Sequence, residues 1–342
     1  MNNIAINMIW FTRVKTSSDY VFFKNLLSGF LGLKKTNKQL VITVFINEKY
    51  KSDVLKFIKE LDKQFYIKIV TKIKKHVFFT KFFKEYDLVF TPNWYFPIEF
   101  GKENNKFISL VHDAGWKKKN PFSIRAIYGR FVLPLSSKFL RHQLVYTTGS
   151  VNSDYTGFKK VIGVPILPYN QIIKEKVPFK KYFLIISTNL PHKNLSVIRE
   201  IMNQKNIDFN LVLVGNHKSF KLKNVKIYKN ITNEYKWNLI TNCLALINPS
   251  KYEGFGMPVA EAMIKNKYVI AANLEVYREY IENGLITVKD CDNIIEWANK
   301  LLEVWNNNKK FLEKKYGKPK INKDFIQPKK VANRVINLAK EN

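Results

Sequence analysis

Two glutamates, Glu253 and Glu261, stand eight positions apart in the run Pro249-Ser-Lys-Tyr-Glu-Gly-Phe-Gly-Met-Pro-Val-Ala-Glu-Ala-Met263. An ionised carboxylate only accepts hydrogen bonds, and it can take two from a vicinal diol such as a ribose. Gly254 and Gly256 let the backbone come close to a ligand or take up positive φ. Pro258 suits the first turn of a helix, where its missing N–H costs nothing. Ahead of the run, the apolar stretch Cys243 to Ile247 reads as a buried strand of parallel type. Glu253 is therefore expected on a loop at the carboxyl end of a strand, and Glu261 about one turn inside the following helix. N–H groups at a helix start attract phosphate, and in an open α/β sheet such a crevice is where ligands bind. This chemistry suits a sugar nucleotide. The plainer alternative is a strand–loop–helix in which one glutamate serves only as a cap.

Two further constellations carry chemistry. Ser187-Thr-Asn-Leu-Pro-His-Lys-Asn-Leu195 joins a strand pattern to a helix pattern. A lysine at that junction, Lys193, can meet a diphosphate as a point charge beside helix-start N–H groups; otherwise it is a surface lysine. His112 and Asp113 close the apolar run Phe107 to Val111. A neutral imidazole there can donate to a sugar hydroxyl while Asp113 fixes its orientation. The alternative is a turn cap by Asp113 with a satisfied histidine beside it.

The run from Pro249 to Met263 resembles the E-x7-E motif of the retaining family 4 glycosyltransferases, of form P-S-x-x-E-G-F-G-x-P-x-x-E-A-M, and fills every fixed position. Ser187 to Leu195 resembles that family's G-T/R-x-x-x-x-K-N element, and His112-Asp113 its H-D pair. The resemblance implies an α/β chain of GT-B type, two Rossmann-like domains with parallel sheets facing a central cleft. It implies a nucleotide-sugar donor, UDP- or GDP-linked, as co-substrate, with no cofactor and no metal. Glu253, His112 and Lys193 become the catalytic candidates. Thr188, Asn189, Lys193, Gly254, Phe255, Gly256, Met257 and Glu261 become the donor-binding set, and His112, Asp113 and Arg13 the acceptor side. Two departures stand out. Thr188, Asn189 and His192 occupy the region where other members carry an arginine before the lysine, so another basic residue must substitute or Lys193 must act with a neutral partner. The loop Phe11 to Ser18 lacks the family's usual glycines and offers Arg13 and Lys15 instead.

The elements needed to position these residues are legible as alternating patterns, which mean parallel sheets covered on both faces. In the first half, strands are expected at Ile4–Phe11, Leu40–Ile46, Tyr66–Val70, Asp87–Thr91, Phe107–Val111 and Leu144–Thr147. Helices are expected at Tyr20–Leu31, Lys51–Leu61, Val77–Glu85 and around Arg125–Leu140. After a proline-bearing break, strands follow at Tyr182–Ser187, Phe209–Val214, Val225–Tyr228, Tyr268–Ala272 and Leu285–Val288. Helices follow at Asn194–Met202, Glu234–Thr241 and Val276–Ile281, with two or more from Asn293 onward. The domains read as 1–163 (acceptor-binding), a linker at 164–180, 181–324 (nucleotide-sugar-binding), and a last helix within 325–342 that can cross back to the first domain.

Composition narrows the classes. The chain has 342 residues, 46% of them hydrophobic, enough for two ordinary cores. No apolar run approaches the length of a membrane span. Two cysteines, Cys243 and Cys291, make no disulfide framework and read as buried thiols in a reducing compartment. A net charge of +31 implies acidic partners. Phe78, Phe79, Phe82, Phe83 and Tyr86 recur among Lys74, Lys75, Lys81 and Lys84, which reads equally as a membrane-surface helix or as an aromatic face packed on a sheet. With the resemblance, the expectation is a cytoplasmic enzyme peripheral on the inner membrane face, its basic N-terminal domain on an anionic surface. Its acceptor is expected to be a glycan or a lipid-linked oligosaccharide of bacterial surface-polysaccharide assembly. No metal-ligand spacing and no P-loop are visible, and no nucleic-acid-binding motif is present, so nucleic acid is not expected. A same-fold sugar-nucleotide epimerase, a phosphorylase and a basic nucleic-acid-binding protein are the competing classes.

Overall fold

A computed structural model describes residues 2–8, 18–48, 55, 66–70, 83, 85–92, 106–112, 142–149, 160–169, 175–204, 207–217 and 224–340. The chain divides into two compact units, one of Met1–Leu167 with Lys323–Asn342, the other of Pro168–Asn322. The division falls inside the stretch read as a linker. On its near side Val164 N–H donates to the Phe325 carbonyl (3.0 Å) and Ile166 N–H to that of Ile326 (2.8 Å).

In the first unit β1 (Asn3–Met8), β2 (Val41–Asn47), β3 (Tyr66–Val70), β4 (Leu88–Thr91), β5 (Lys106–Val111) and β6 (His142–Tyr146) form one sheet in the order β3-β2-β1-β4-β5-β6. Every pairing is parallel. Such strands are buried on both faces, hence the unbroken burial of Ile4, Ala5 and Ile6. Helix α1 (Ser18–Thr36) buries Phe22, Phe23, Leu26, Leu27 and Phe30. Phe83 and Tyr86, two of the aromatics placed among lysines, are core residues: Phe83 lies edge-on to Phe45 at 4.8 Å and Tyr86 to Phe45 at 5.5 Å. The remainder of 73–86, save Glu85, and the helices expected at 51–61 and 125–140, save residue 55, lie outside the described residues.

The second unit repeats the plan. Strands β7 (Phe183–Ile186), β8 (Leu211–Val214), β9 (Val225–Tyr228), β10 (Ala245–Asn248), β11 (Tyr268–Ala272) and β13 (Leu285–Val288) run in the order β9-β8-β7-β10-β11-β13, again all parallel. Its helices are α2 (Leu195–Met202), α3 (Asn233–Asn242), α4 (Met257–Ile264), α5 (Glu275–Arg278), α6 (Ile294–Asn306) and α7 (Lys309–Tyr316). Their starts follow local chemistry. The Thr232 hydroxyl accepts from Tyr235 N–H, and the Asn293 side chain accepts from Glu296 N–H, capping α3 and α6.

Two expectations are corrected. The helix expected over Val276–Ile281 stops at Arg278, and Ile281–Asn283 becomes a short strand, β12, antiparallel to β14 (Lys320–Ile321). Ile281 is apolar at a position that serves either pattern, and its distant partner decides. Cys243 is buried but Cys291 is only half-buried.

The chain closes with α8 (Lys323–Ile326) and α9 (Pro328–Lys340), both grouped with the first unit. Helix α9 buries Val331, Ala332, Val335, Ile336 and Ala339. It meets α1 closely enough that a Cβ on Gly29 would fall 2.2 Å from the Pro328 carbonyl oxygen.

Candidate functional site

In both sheets the strand order reverses beside the first strand of the unit, and in such a sheet ligands bind outside the carboxyl ends of the strands at that reversal. In the second unit the reversal lies between β7 and β10. The segment after β7 carries Thr188, Asn189 and Lys193; the segment after β10 carries Glu253 through Met257.

The two segments meet. Lys193 Nζ lies 2.6 Å from Glu253 Oε1, with side chains 19% and 12% exposed. Asn248, the last residue of β10, donates from Nδ2 to the same oxygen at 3.3 Å, while its Oδ1 accepts from Ser250 N–H at 3.1 Å. Lys251 N–H donates to the His192 carbonyl at 2.8 Å, tying loop to loop. Asn194, at φ 50° and almost fully buried, donates from its amide to the Cys291 carbonyl (2.7 Å) and to Asp292 (3.3 Å). Asparagine tolerates this left-handed turn better than most residues, and the turn ends the 3-10 segment Pro191–Lys193 that presents the lysine.

Gly256, at φ +84°, precedes the first residue of helix α4 and has no side chain with which to cap it. A Cβ there would stand 2.8 Å from the Tyr277 ring, so the loop is pressed onto an aromatic floor. Tyr280 donates from its hydroxyl to the Phe255 carbonyl at 2.6 Å, and its ring stacks on Phe255 at 4.4 Å. The hydroxyls of Tyr277 and Tyr280 are held well above the usual phenol range, first by burial and then by the nearby charge of Glu253. Tyr277 is fully buried and its hydroxyl has no hydrogen-bond partner among the described residues.

Glu261 lies one turn into α4 and is 2% exposed. Lys236, from α3, reaches its Oε1 at 2.5 Å. The stretch thus carries two carboxylate–lysine pairs, one at each glutamate, from lysines on different elements. Sequence spacing gave no sign of Lys236, Asn248 or the two tyrosines; of Asn194 it gave only the Lys-Asn adjacency at 193–194.

The remaining candidates are placed as follows. His112 closes β5 in the first unit; its Nε2 meets the Pro92 carbonyl at 2.8 Å, which fixes the proton on that nitrogen. Its ring lies edge-on to Phe22 at 4.7 Å. Asp113 and Arg13 lie outside the described residues. One group of possible metal ligands occurs among the described residues, Asp290, Cys291 and Asp292. Asp292 is already committed to Lys251 at 2.6 Å, and burial with the neighbouring carboxylates pushes the Cys291 thiol up, away from thiolate.

Residues 170–320 match the family model described as "Glycosyl transferases group 1". The matched residues lie within the second unit, Pro168–Asn322. Among curated proteins, the O-antigen chain mannosyltransferase RfbU of Salmonella typhimurium is 30% identical over 190 residues, which is 49% of this chain and 52% of its own length. The chain spans about half the length of the curated relatives it matches. Among solved structures, the lipopolysaccharide outer core galactosyltransferase WaaB superposes with a TM-score of 0.65 at 14% identity, covering 100% of this chain and 99% of that one. A mutant of S. aureus TarM, in complex with Fondaparinux, alpha-GlcNAc-glycerol and UDP, superposes with a TM-score of 0.66 at 12% identity, over 99% of this chain and 100% of that one. At such identities the likeness establishes the fold, the GT-B glycosyltransferase fold of two Rossmann-like units. The group 1 match and this site occupy the same unit.

Proposed function

We propose that this chain is a retaining, metal-independent glycosyltransferase that moves a hexose-type sugar from a nucleoside-diphosphate donor, UDP- or GDP-linked, to a hydroxyl of a glycan or lipid-linked acceptor. The observation that carries the reading is the Lys193–Glu253 pair at the start of α4, where the sheet order reverses. In this reading Lys193 and the N–H groups from Gly254 to Met257 meet the leaving diphosphate, whose charge grows in the transition state. Lys193 then exchanges its carboxylate partner for phosphate oxygens. Glu253 takes the sugar hydroxyls and Glu261 the ribose diol. The bond from the sugar's anomeric carbon to phosphate breaks on the face where the acceptor oxygen attacks. The acceptor's proton passes to the departing phosphate oxygen, and configuration is retained. His112, with Asp113 and Arg13, is assigned to the acceptor side.

The names of the relatives, an O-antigen chain mannosyltransferase and a lipopolysaccharide galactosyltransferase, support surface-polysaccharide assembly as the pathway class. The net charge of +31 supports an anionic membrane surface as the place of work, met by the basic N-terminal unit from the cytoplasmic side. No helix among the described residues is long and apolar enough to cross a membrane.

Thermal shift with UDP, GDP, ADP, CMP and their common sugar conjugates tests the nucleotide site. One base family is expected to stabilise the wild type and to lose that effect in Glu261→Ala. A folded wild type unmoved by every nucleotide would overturn the reading.

A further inference from the structure

Lys236 lies outside every motif legible in the sequence, yet it makes the tightest contact with a carboxylate of the site. Its ammonium stands 2.5 Å from Glu261 Oε1, with 17% of the lysine side chain and 3% of the glutamate side chain exposed. The same ammonium lies 5.4 Å from the centroid of the Trp237 ring, which is 2% exposed. Lys265, at the other end of α4, shares that ring at 5.5 Å but donates to the Tyr169 carbonyl at 2.8 Å. Among the described residues, Lys236 is therefore the cation paired with Glu261.

The pairing has a geometric consequence. A carboxylate offers about four lone-pair positions. Among the described residues, the ammonium occupies one on Oε1 and leaves Oε2 whole, together with the second position on Oε1. Those are the positions that two adjacent hydroxyls require. A carboxylate attached through two methylenes would otherwise rotate among several orientations, and ordering it would weaken binding. The ion pair, its lysine held beside the Trp237 ring, removes that freedom before any ligand arrives.

We propose that Lys236 is a positioning residue for ribose: it fixes the plane of the Glu261 carboxylate so that the site selects ribonucleoside over 2′-deoxyribonucleoside diphosphates. This rests on the reading of Glu261 as the diol-binding carboxylate.

The test is calorimetric binding of UDP, GDP and their 2′-deoxy forms to wild type, Lys236→Met, Lys236→Arg, Glu261→Gln and the double variant Lys236→Met/Glu261→Gln. Wild type is expected to favour the ribo form by about tenfold or more, the scale of a hydrogen bond to a charged group. Lys236→Met should lose about tenfold for the ribo form and leave the deoxy form within about twofold, with Lys236→Arg restoring most of the loss. In the Glu261→Gln background, adding Lys236→Met should change neither affinity by more than about twofold, because the lysine acts through that carboxylate. Equal weakening of both forms by Lys236→Met would overturn the proposal, since the lysine would then serve the phosphates. Losses that multiply in the double variant would overturn it too. Should Lys236→Met fail to fold, Lys236→Gln takes its place in both backgrounds with the same outcomes expected. Wild type that binds ribonucleotides without discriminating against the deoxy forms sinks this proposal alone. Wild type that binds no nucleotide sinks the nucleotide-site reading with it.

Discussion

The two sheets share one strand order but differ in what stands at the reversal. In the second unit the ends of β7 and β10 bring a lysine and a glutamate into contact, on a loop floored by buried aromatics. In the first unit β4 ends at Thr91, the next residue offers a carbonyl to a histidine from β5, and that ring rests on Phe22. Among the described residues, the contact at the second reversal is an ion pair and the contact at the first is a histidine on a carbonyl. Topology supplies the crevice twice, and side chains decide which crevice can stabilise a leaving anion.

The sharpest way to break this contrast is to remove one group from each unit and measure transfer. Glu253→Gln is expected to lower kcat/KM by about 10²- to 10³-fold, the scale of a lost transition-state contact. His112→Ala should cost about tenfold or less, the scale that the acceptor-side role proposed for it implies. Equal losses would mean that the division of labour is wrong.

A second comparison sets two glycines against each other. Gly256→Ala combines a left-handed φ with a collision against Tyr277, and is expected to cost about 1–3 kcal/mol of stability and most nucleotide binding. Gly29→Ala should cost a similar amount, about 1–3 kcal/mol, by separating α1 from α9, and leave nucleotide affinity of the folded protein intact. Denaturant unfolding and calorimetry on both variants separate the two effects. Loss of nucleotide affinity in Gly29→Ala would contradict the contrast.

The smallest effect expected is a pH dependence confined to the second unit. His217 is buried beside Gly215, and burial lowers its pKa from 6.5, outweighing hydrogen bonding to the Val214 carbonyl. A histidine held neutral in the fold is protonated more readily when unfolded. Its contribution is therefore complete above pH 6.5 and is lost as pH falls through the lower folded value. Melting temperature followed from about pH 5 to pH 8 should fall on the acid side, and His217→Gln should flatten that decline. An unchanged profile in the variant would assign the decline to other groups.

Much of this was legible because it is local. The strands Tyr268–Ala272 and Leu285–Val288 are continuous apolar or β-branched runs, as a covered parallel sheet demands, while Tyr66–Val70 and Val225–Tyr228 carry one lysine each and stand at sheet edges. Glu253, the glycines and Glu261 fall within one short stretch, so their placement on a loop and a helix follows from neighbours in sequence. What escaped was long-range. Lys236 meets Glu261 from another helix, Asn248 serves Glu253 through a side chain that could have faced either way, and Tyr277 and Tyr280 look like ordinary core aromatics until Gly256 is seen lying on them. The strand Ile281–Asn283 escaped for the same reason, since its pairing partner Lys320–Ile321 gives no local signal.

The return of α9 to the first unit has a consequence for synthesis. A chain made from its N-terminus usually completes its first domain first. Here Gly29 and the surface of α1 around it wait for residues 328–340, which emerge only after the whole second unit. The second unit can thus mature on the ribosome before the first. Until then the nascent first half keeps an uncovered greasy helix, a standing target for chaperones.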